Sequence, residues 1–515
     1  MDFFFFFFFF FFLVNCLLGL ISFTFLRFLA RKATNNQTPA AKLPPGPARL
    51  PIIGNIHNLG FNPHKSLADL AKVHGPLMSL KLGQVTTIVA SSPAVAKEIL
   101  LKHDKLLSNR HVPLALQTLD FHKFSISMLP VEPRWRNLRR VCNSYIFTPQ
   151  KLDSNQGLRR DKIVELVEAV RRNACCEEDK VAVDVGKVAF RATLNALSAT
   201  ILTMDLADEE TSEAAGQFKE LASGMTHEAG TPNLGDFFPF LARFDVQGIQ
   251  RRIRVHMEKA LNLFEWLIDQ RLRERKLESY VSANDTLDTL LAINDDAENR
   301  QFHMDLQRIK YLFLDLFVAG TDTTATTLEW AMTELLRNPN ALTKLKEELD
   351  QAIGKDNHFE ESDIPRLPYL QAVIKEIFRL HPPLPLLLPH KAGADVEIGG
   401  FTVPKGAQIL VNLWAIGRDP MIWDDPNSFT PERFLGSEVD ARGNHFELIT
   451  FGAGRRICPG MSLAHRMLHM MLGSLVHWFD WKLPSGVEPG QLDMKEEFGV
   501  TLQKAKPLLA VPTLR

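Results

Sequence analysis

Cysteine is scarce: among 515 residues there are five, Cys16, Cys142, Cys175, Cys176 and Cys458. The number is odd and no pair has C-x-x-C spacing, so neither a disulfide framework nor a zinc site is implied, which fits a reducing compartment. Net charge is almost absent as well. Lys and Arg number 59 against 60 Asp and Glu, leaving −1 and a pI near 7.0, so there is no overall pull towards nucleic acid. No Gly-x-Gly-x-x-Gly opens a helix after a strand, and no flavin or nicotinamide fingerprint is visible. No internal repeat appears, and the length is within reach of one large domain.

Charge is also missing locally. Residues 3–26 carry none and begin with ten consecutive phenylalanines, Phe3 to Phe12. About 20 apolar residues cross a bilayer core, so the stretch is long enough to span one; a buried core helix is the alternative. Only Asp2 precedes it, so it lacks the basic leader of a cleavable signal and reads as a retained anchor over 1–26. Arg27, Arg31, Lys32, Lys42 and Arg49 follow, and the next acid is Asp69, a bias that leaves the rest of the chain on the cytosolic side. Residues 27–43 form a basic linker into Leu43-Pro44-Pro45-Gly46-Pro47, where prolines without amide donors predict a stiff spacer before a body over 44–515. Met78–Leu82 and Val85–Ala90 flank Gly83-Gln84 and predict a hairpin. Sheets are expected only here and over 395–414; the other periodic segments read as helix, giving a mainly α fold with small β-sheets.

The chain is organised around Phe451-Gly452-Ala453-Gly454-Arg455-Arg456-Ile457-Cys458-Pro459-Gly460. A thiolate that holds iron needs positive potential, backbone N–H donors and little bulk around the sulfur. Gly452, Gly454 and Gly460 allow a tight loop, Phe451 can shield the sulfur from water and Arg456 adds a cation. Pro459 suits a first helical position, and Leu463, Ala464, Met467, Leu468, Met471, Leu472, Leu475 and Val476 repeat at helical spacing behind it. The helix would aim its positive end at Cys458. A buried free thiol is the alternative.

The pattern Phe-x-x-Gly-x-Arg-x-Cys-x-Gly resembles the haem-thiolate signature of the cytochrome P450 monooxygenases. The resemblance covers about residues 43–515. It implies the cytochrome P450 fold, haem b as cofactor with Cys458 as the axial ligand of its iron, and Phe451, Gly452, Arg456 and Gly460 around it. Trp135 and Arg139 lie four apart in Pro133-Arg134-Trp135-Arg136-Asn137-Leu138-Arg139-Arg140 and share a helical face, where an indole N–H and a guanidinium make paired donors for a carboxylate. The resemblance assigns them to a haem propionate; a packed tryptophan beside a solvated arginine is the other reading. It assigns His390, just after Pro383-Leu384-Pro385-Leu386-Leu387-Leu388-Pro389, to a propionate too. That proline-rich segment, Glu497–Thr501 and the loop from Arg110 to Phe124 correspond to substrate-facing segments.

Residues 305–337 carry the longest helical stripe, stopped by Asn338-Pro339. Five threonines, an acid and a glycine crowd its middle, Ala319 to Thr327, in conflict with helix propensity. Thr323 shares a face with Leu316, Ala319 and Gly320, so small residues leave a groove beside its hydroxyl. Asp322 and Thr323 match the family's acid–alcohol pair: protons must reach bound dioxygen, and a hydroxyl resupplied by an acid through water can deliver them. A threonine-rich core helix is the alternative. Glu376 and Arg379 sit at i and i+3, and the resemblance groups them with Arg433 as a buried cluster that holds the cysteine loop.

With no nucleotide fingerprint, electrons from NADPH must come through a separate partner, NADPH-cytochrome P450 reductase, and Arg134, Arg136 and Arg140 are candidates to face it. The expected reaction is insertion of one oxygen atom from O2 into an apolar small molecule, by an enzyme in the endoplasmic reticulum membrane with a single span and its catalytic domain in the cytosol. The proline stretch, the threonine motif and Phe498-Gly499-Val500-Thr501 look most like plant microsomal members, the group that includes the geraniol hydroxylases, which implies a specialised metabolite such as a terpenoid. A haem-thiolate isomerase or dehydratase and a non-catalytic haem-binding membrane protein are the rival readings.

Overall fold

Apolar residues at helical spacing and their capping residues set the frame. The helices around the site are α1 (Pro63–His74), α2 (Pro133–Val141), α3 (Val185–Leu202), α4 (Ser212–Gly230), α5 (Ile249–Glu274), α6 (Leu306–Arg337), α7 (Pro368–Leu380) and α8 (Met461–Trp478). They belong to a computed structural model that describes residues 42–515 except 175–181, 207–211, 284 and 296–303, with isolated positions from 15 to 24. Most of the expected anchor over 1–26, and Cys16, Cys175 and Cys176, lie outside the described residues. Among the described residues no helix is long and apolar enough to cross a membrane.

Helix α6 is the spine. Asp305 caps its start by accepting from the Arg308 amide, and Asn338-Pro339 ends it, as the sequence predicts. Its stripe of Ile309, Leu312, Phe313, Leu316, Phe317, Leu328 and Leu335 is buried. Phe313 and Phe317 meet Phe264 of α5 at ring separations of 5.9 and 5.2 Å, and Phe218 of α4 lies 6.0 Å from Phe317. Truncating such a phenylalanine costs about 3–5 kcal/mol, so Phe317→Ala would loosen three helices at once. The threonine-rich centre leaves the helix unbroken. Thr321, Thr323, Thr327 and Thr333 each donate to the carbonyl four residues back, at 2.6–2.7 Å, so their hydroxyls are satisfied within the helix.

The expected hairpin forms: β1 (Leu77–Leu82) and β2 (Val85–Ala90) pair antiparallel, with Leu82 opposite Val85 and Gly83 at φ 55°. With β3 (Asn109–Arg110), β4 (His390–Lys391) and β5 (Gln408–Val411) they make one sheet in the order β1-β2-β5-β4-β3. Only β2 and β5 run parallel, and β3 places Arg110 opposite His390. Strands also occur outside the two regions expected to hold them. Phe479–Lys482 and Val183–Asp184 flank Leu509–Leu514, and β6 (Glu496–Glu497) pairs with β7 (Gln503–Lys504). Several of these are two residues long, too short to show alternation.

The proline stretch is docked rather than a free spacer. Ser79 of β1 donates its amide to the Pro45 carbonyl (2.8 Å) and its hydroxyl to that of Pro44 (2.6 Å). A Cβ at Gly46 would lie 1.9 Å from the Ser79 carbonyl oxygen, so only glycine permits this approach.

Glu376, Arg379 and Arg433 do form a cluster, and Glu376 and Arg379 are fully buried. Arg379 reaches the carbonyls of Gly417, Pro426 and Ser428, and Arg433 those of Asp424 and Asp425. The cluster therefore ties down residues 417–433. Its link to the cysteine loop runs through the neighbouring Phe378, whose carbonyl accepts from Thr450 and whose ring meets Phe451 edge-on at 5.2 Å.

Candidate active site

The loop before α8 turns because Gly452 and Gly454 take φ 71° and 64°, and a Cβ at Gly454 would sit 2.0 Å from the Leu100 carbonyl oxygen. The Cys458 amide donates to the Phe451 carbonyl (2.9 Å), and the Phe451 ring is fixed by packing against Phe378 and His465. Helix α8 starts two residues later than expected: Gly460 is its N-cap and Met461, not Pro459, its first residue. The amides of Gly460 and Met461 point at the sulfur. Burial pushes the Cys458 thiol up from its ordinary range, while those two amides and the Arg139 guanidinium pull it down. The cation that acts on the sulfur is thus Arg139, not Arg456. Arg139 donates to the Ile457 carbonyl at 2.5 Å, whereas Arg456 turns away to the carbonyls of Ser108 (2.8 Å), Ile126 (3.3 Å) and Leu129.

Trp135 differs from its expected role. Its indole N–H donates to the Ile126 carbonyl at 3.1 Å, and its ring lies under the Arg456 guanidinium at 4.7 Å, so it orients that cation while its own donor is in use. His390 is buried, and its Nδ1 lies 2.8 Å from the Leu107 carbonyl oxygen. A carbonyl oxygen only accepts, so Nδ1 carries the ring proton. Burial first, then the Arg110 charge, hold the ring neutral, well below its ordinary range, which leaves Nε2 without a proton to donate. The sequence reading missed Arg110 as a cation of the site. Its Nε donates to the Ser127 carbonyl (3.1 Å) and its Nη1 to that of Leu388 (2.6 Å). The available signal was an arginine opening an apolar loop.

Arg110, Arg139, Arg456, Trp135, His390 and Cys458 line one cavity. The three guanidinium groups have carbonyl partners only; among the described residues none pairs with a carboxylate. Burial pulls all three down, Arg456 to about 10, with like charges adding to the effect at Arg110 and Arg456. Buried cations without a counter-charge are costly, and a ligand carrying two carboxylates beside a thiolate-bound metal would relieve them. The residues present fit haem b on that ground.

Leu316, Ala319, Gly320, Thr323, Thr324 and Thr327 of α6 line the same cavity, with Ala196 and Leu197 of α3 and Pro383, Leu384, Leu387 and Leu388. Thr323 faces in. Asp322 does not: adjacent helical residues point about 100° apart. Asp322 is buried behind the wall, accepting from Gln503 of β7 at 2.8 Å and Thr226 of α4 at 3.4 Å, and burial raises its carboxyl. Of the expected substrate-facing segments, the proline-rich one reaches the cavity. Residues 111–124 do not; Arg110, Ile126 and Ser127 stand there instead. Nor does Glu497–Thr501, because Phe498 stacks on His64 of α1 (5.4 Å) and the Val500 amide bonds the Thr226 carbonyl. Arg134, Arg136 and Arg140 are exposed on α2.

A family model described as Cytochrome P450 matches residues 44–511. The chain is 51% identical over 501 residues to a geraniol 8-hydroxylase of Catharanthus roseus, covering 97% of this chain and 98% of that one. A drimenol monooxygenase of Persicaria hydropiper is 46% identical over 479 residues, 93% of this chain and 94% of the other. Among solved structures, a zebra fish cytochrome P450 with abiraterone superposes with a TM-score of 0.71 at 27% identity, covering 88% of this chain and all of that one.

Proposed function

The chain belongs to the cytochrome P450 family and is a monooxygenase, and from that premise we propose that it hydroxylates a plant terpenoid at the membrane of the endoplasmic reticulum. The apolar lining of the cavity, contributed by α3, α6 and the proline-rich segment, carries the reading of an apolar substrate. The names of the relatives above, one acting on geraniol and one on drimenol, narrow it to terpenoids.

When bound, haem supplies the chemistry by which one atom of O2 enters a C–H bond and the other leaves as water, using two electrons and two protons. Cys458 would ligate the iron, with the Gly460 and Met461 amides and Arg139 favouring its thiolate form. Arg110, Arg139 and Arg456 would hold the propionates. Phe451 would shield the sulfur side from water. The Thr323 hydroxyl donates to the Ala319 carbonyl at 2.6 Å, so towards the cavity it offers lone pairs. In that state it accepts from a proton-bearing group in the groove and fixes its position. Asp322, held by Gln503 and Thr226, would resupply protons from behind the helix.

Electrons would come from NADPH through the reductase, docked on the exposed arginines of α2. Exposed apolar side chains support the membrane reading. Leu50, Ile52 and Phe61 near the proline stretch, and Phe240, Phe244 and Val246, are all exposed. The Gly83 amide bonds the Ile53 carbonyl and the Gln84 amide that of Phe237, so the β1–β2 turn joins the segments that carry the two groups.

The test is product analysis of microsomes carrying this chain and the reductase, supplied with O2 and NADPH and a panel of monoterpenols, diterpenes, phenolics and alkaloids. Hydroxylated terpenoid that depends on both NADPH and O2 is the expected result. Turnover of phenolics or alkaloids alone would overturn the substrate class, and turnover without NADPH the monooxygenase route.

A further inference from the structure

Most of the cavity's hydroxyls are closed to a ligand's acceptor groups. Thr193, Thr323 and Thr327 donate into their own helices, and Thr450 donates to Phe378. The arginines serve the expected propionates. Among the described residues the one carboxylate that lines the cavity is Asp315, and beside it stands Ser127.

The two are joined in a defined way. Asp315 Oδ1 accepts from the hydroxyls of Ser125 and Ser127, each at 2.8 Å, and Oδ2 accepts from the Ile126 amide at 2.7 Å. Ser125 Oγ also accepts from the amides of Ser127 (3.1 Å) and Met128 (3.3 Å), which fills its lone pairs, and it is fully buried. Ser127 Oγ has no such amide donor. Its one proton goes to Asp315, since the Ser125 Oγ 2.7 Å away has no lone pair left, and Ser127 borders the cavity with a lone pair to offer.

Asp315, Ala319 and Thr323 recur at every fourth residue, one stripe of α6. Eight residues rise about 12 Å, so the carboxylate and the threonine groove lie two turns apart. A chain of eight bonds, from a hydroxyl oxygen to the eighth carbon of a prenyl alcohol, extends about 10 Å at roughly 1.2 Å per bond.

We propose that Ser127, held by Asp315, is a hydroxyl-binding subsite that takes a primary prenyl alcohol by its O–H and sets the far end of the chain at the Ala319–Thr323 groove. This deepens, and rests on, the reading of the cavity as a terpenoid hydroxylase site. The subsite accepts a hydrogen bond and offers none outward, so it selects an O–H donor over an ether or a hydrocarbon. The Asp315 charge disfavours a carboxylate there, and Arg110 and Arg456 in the same cavity disfavour an ammonium group.

The test uses the haem-loaded full-length protein in microsomes and reads dissociation constants from ligand-induced optical difference spectra. The probes are geraniol, its methyl ether and the corresponding hydrocarbon. Wild type should prefer geraniol over the ether by about fivefold to tenfold, the worth of one net hydrogen bond. Ser127→Ala should erase that preference with affinity for the ether unchanged, and spread oxidation away from the terminal carbon. Ser127→Thr keeps the hydroxyl and should keep the preference, a control that stands even if the alanine variant fails to load haem. An intact preference in Ser127→Ala, equal weakening of all three ligands, or loss of preference in Ser127→Thr would each overturn the subsite. Wild type that binds none of the probes would instead remove the terpenoid reading, and the subsite with it.

Discussion

Arg379→Lys keeps a positive charge at the centre of the Glu376 cluster, and the geometry makes it a severe change nonetheless. A guanidinium has five N–H donors, and Arg379 uses all five. Nε and one N–H of Nη2 go to the two Glu376 oxygens at 2.7 Å each; Nη1 reaches Gly417 (2.5 Å) and Pro426 (2.6 Å), and Nη2 also reaches Ser428 (3.0 Å). An ammonium has three donors, so at least two of the five bonds are lost; Glu376 Oε1 keeps the Thr430 amide and Arg433 Nε, which leaves one or two buried acceptors unsatisfied. Each buried unsatisfied group costs about 1–3 kcal/mol, giving about 1–6 kcal/mol for the lysine. Removing the other partner by Glu376→Ala strands the buried Arg379 charge, at about 3–5 kcal/mol. The two variants should therefore be similarly damaged, although one conserves charge and the other does not. A large haem protein unfolds irreversibly, so the measurement is the half-life, at fixed temperature, of the absorbance band of the reduced carbon monoxide complex. Both half-lives should fall more than tenfold. An Arg379→Lys half-life within twofold of wild type would refute the donor count as the source of stability.

Two further outcomes separate roles at the site. Arg139→Gln should shift the carbon monoxide band of the reduced protein towards that of thiol-ligated haem, whereas Arg456→Gln should lower haem content and leave the band in place; the opposite assignment would return the sulfur's cation to Arg456. Thr323→Ala should leave ligand-induced spectra unchanged but lower product formed per NADPH, with Thr323→Ser close to wild type; unaltered coupling in the alanine variant would take Thr323 out of proton handling.

The parts of this site that the sequence displays are those whose chemistry is local in the chain. Cys458, the glycines before it, Phe451 and the helix behind it lie within thirty residues, and their requirements can be read from residue type alone. The same holds for the hairpin at Gly83 and for α6, whose cap, stripe and proline stop are all contiguous. Arg110 was not legible in this way. Its place opposite His390 depends on β3 pairing with β4, two strands of two residues each brought together from distant parts of the chain. Asp315 was hidden for a similar reason, since its partners Ser125, Ile126 and Ser127 come from a loop nearly 190 residues earlier.

Proximity in the chain also misleads in the other direction. Asp322 and Thr323 are adjacent, yet one faces β7 and α4 while the other faces the cavity, because a helix separates neighbours by about 100°. Arg456 is two residues from Cys458, yet its guanidinium serves three carbonyls and the Trp135 ring, while Arg139, more than 300 residues earlier, bonds the Ile457 carbonyl. These exchanges have one cause. A buried guanidinium takes the carbonyls it can reach, and the Ser125–Leu129 segment offers several that no strand or helix uses: Ile126 to Trp135 and Arg456, Ser127 to Arg110, Leu129 to Arg456. Asp315 holds that segment by its hydroxyls and one amide, with its carbonyls turned to the cations. The carboxylate on α6 therefore acts on both sides of the cavity, setting a hydroxyl acceptor towards the substrate and orienting the arginines that would carry the cofactor. A change at Asp315 should accordingly disturb haem content and alcohol preference together, whereas a change at Ser127 should disturb the preference alone.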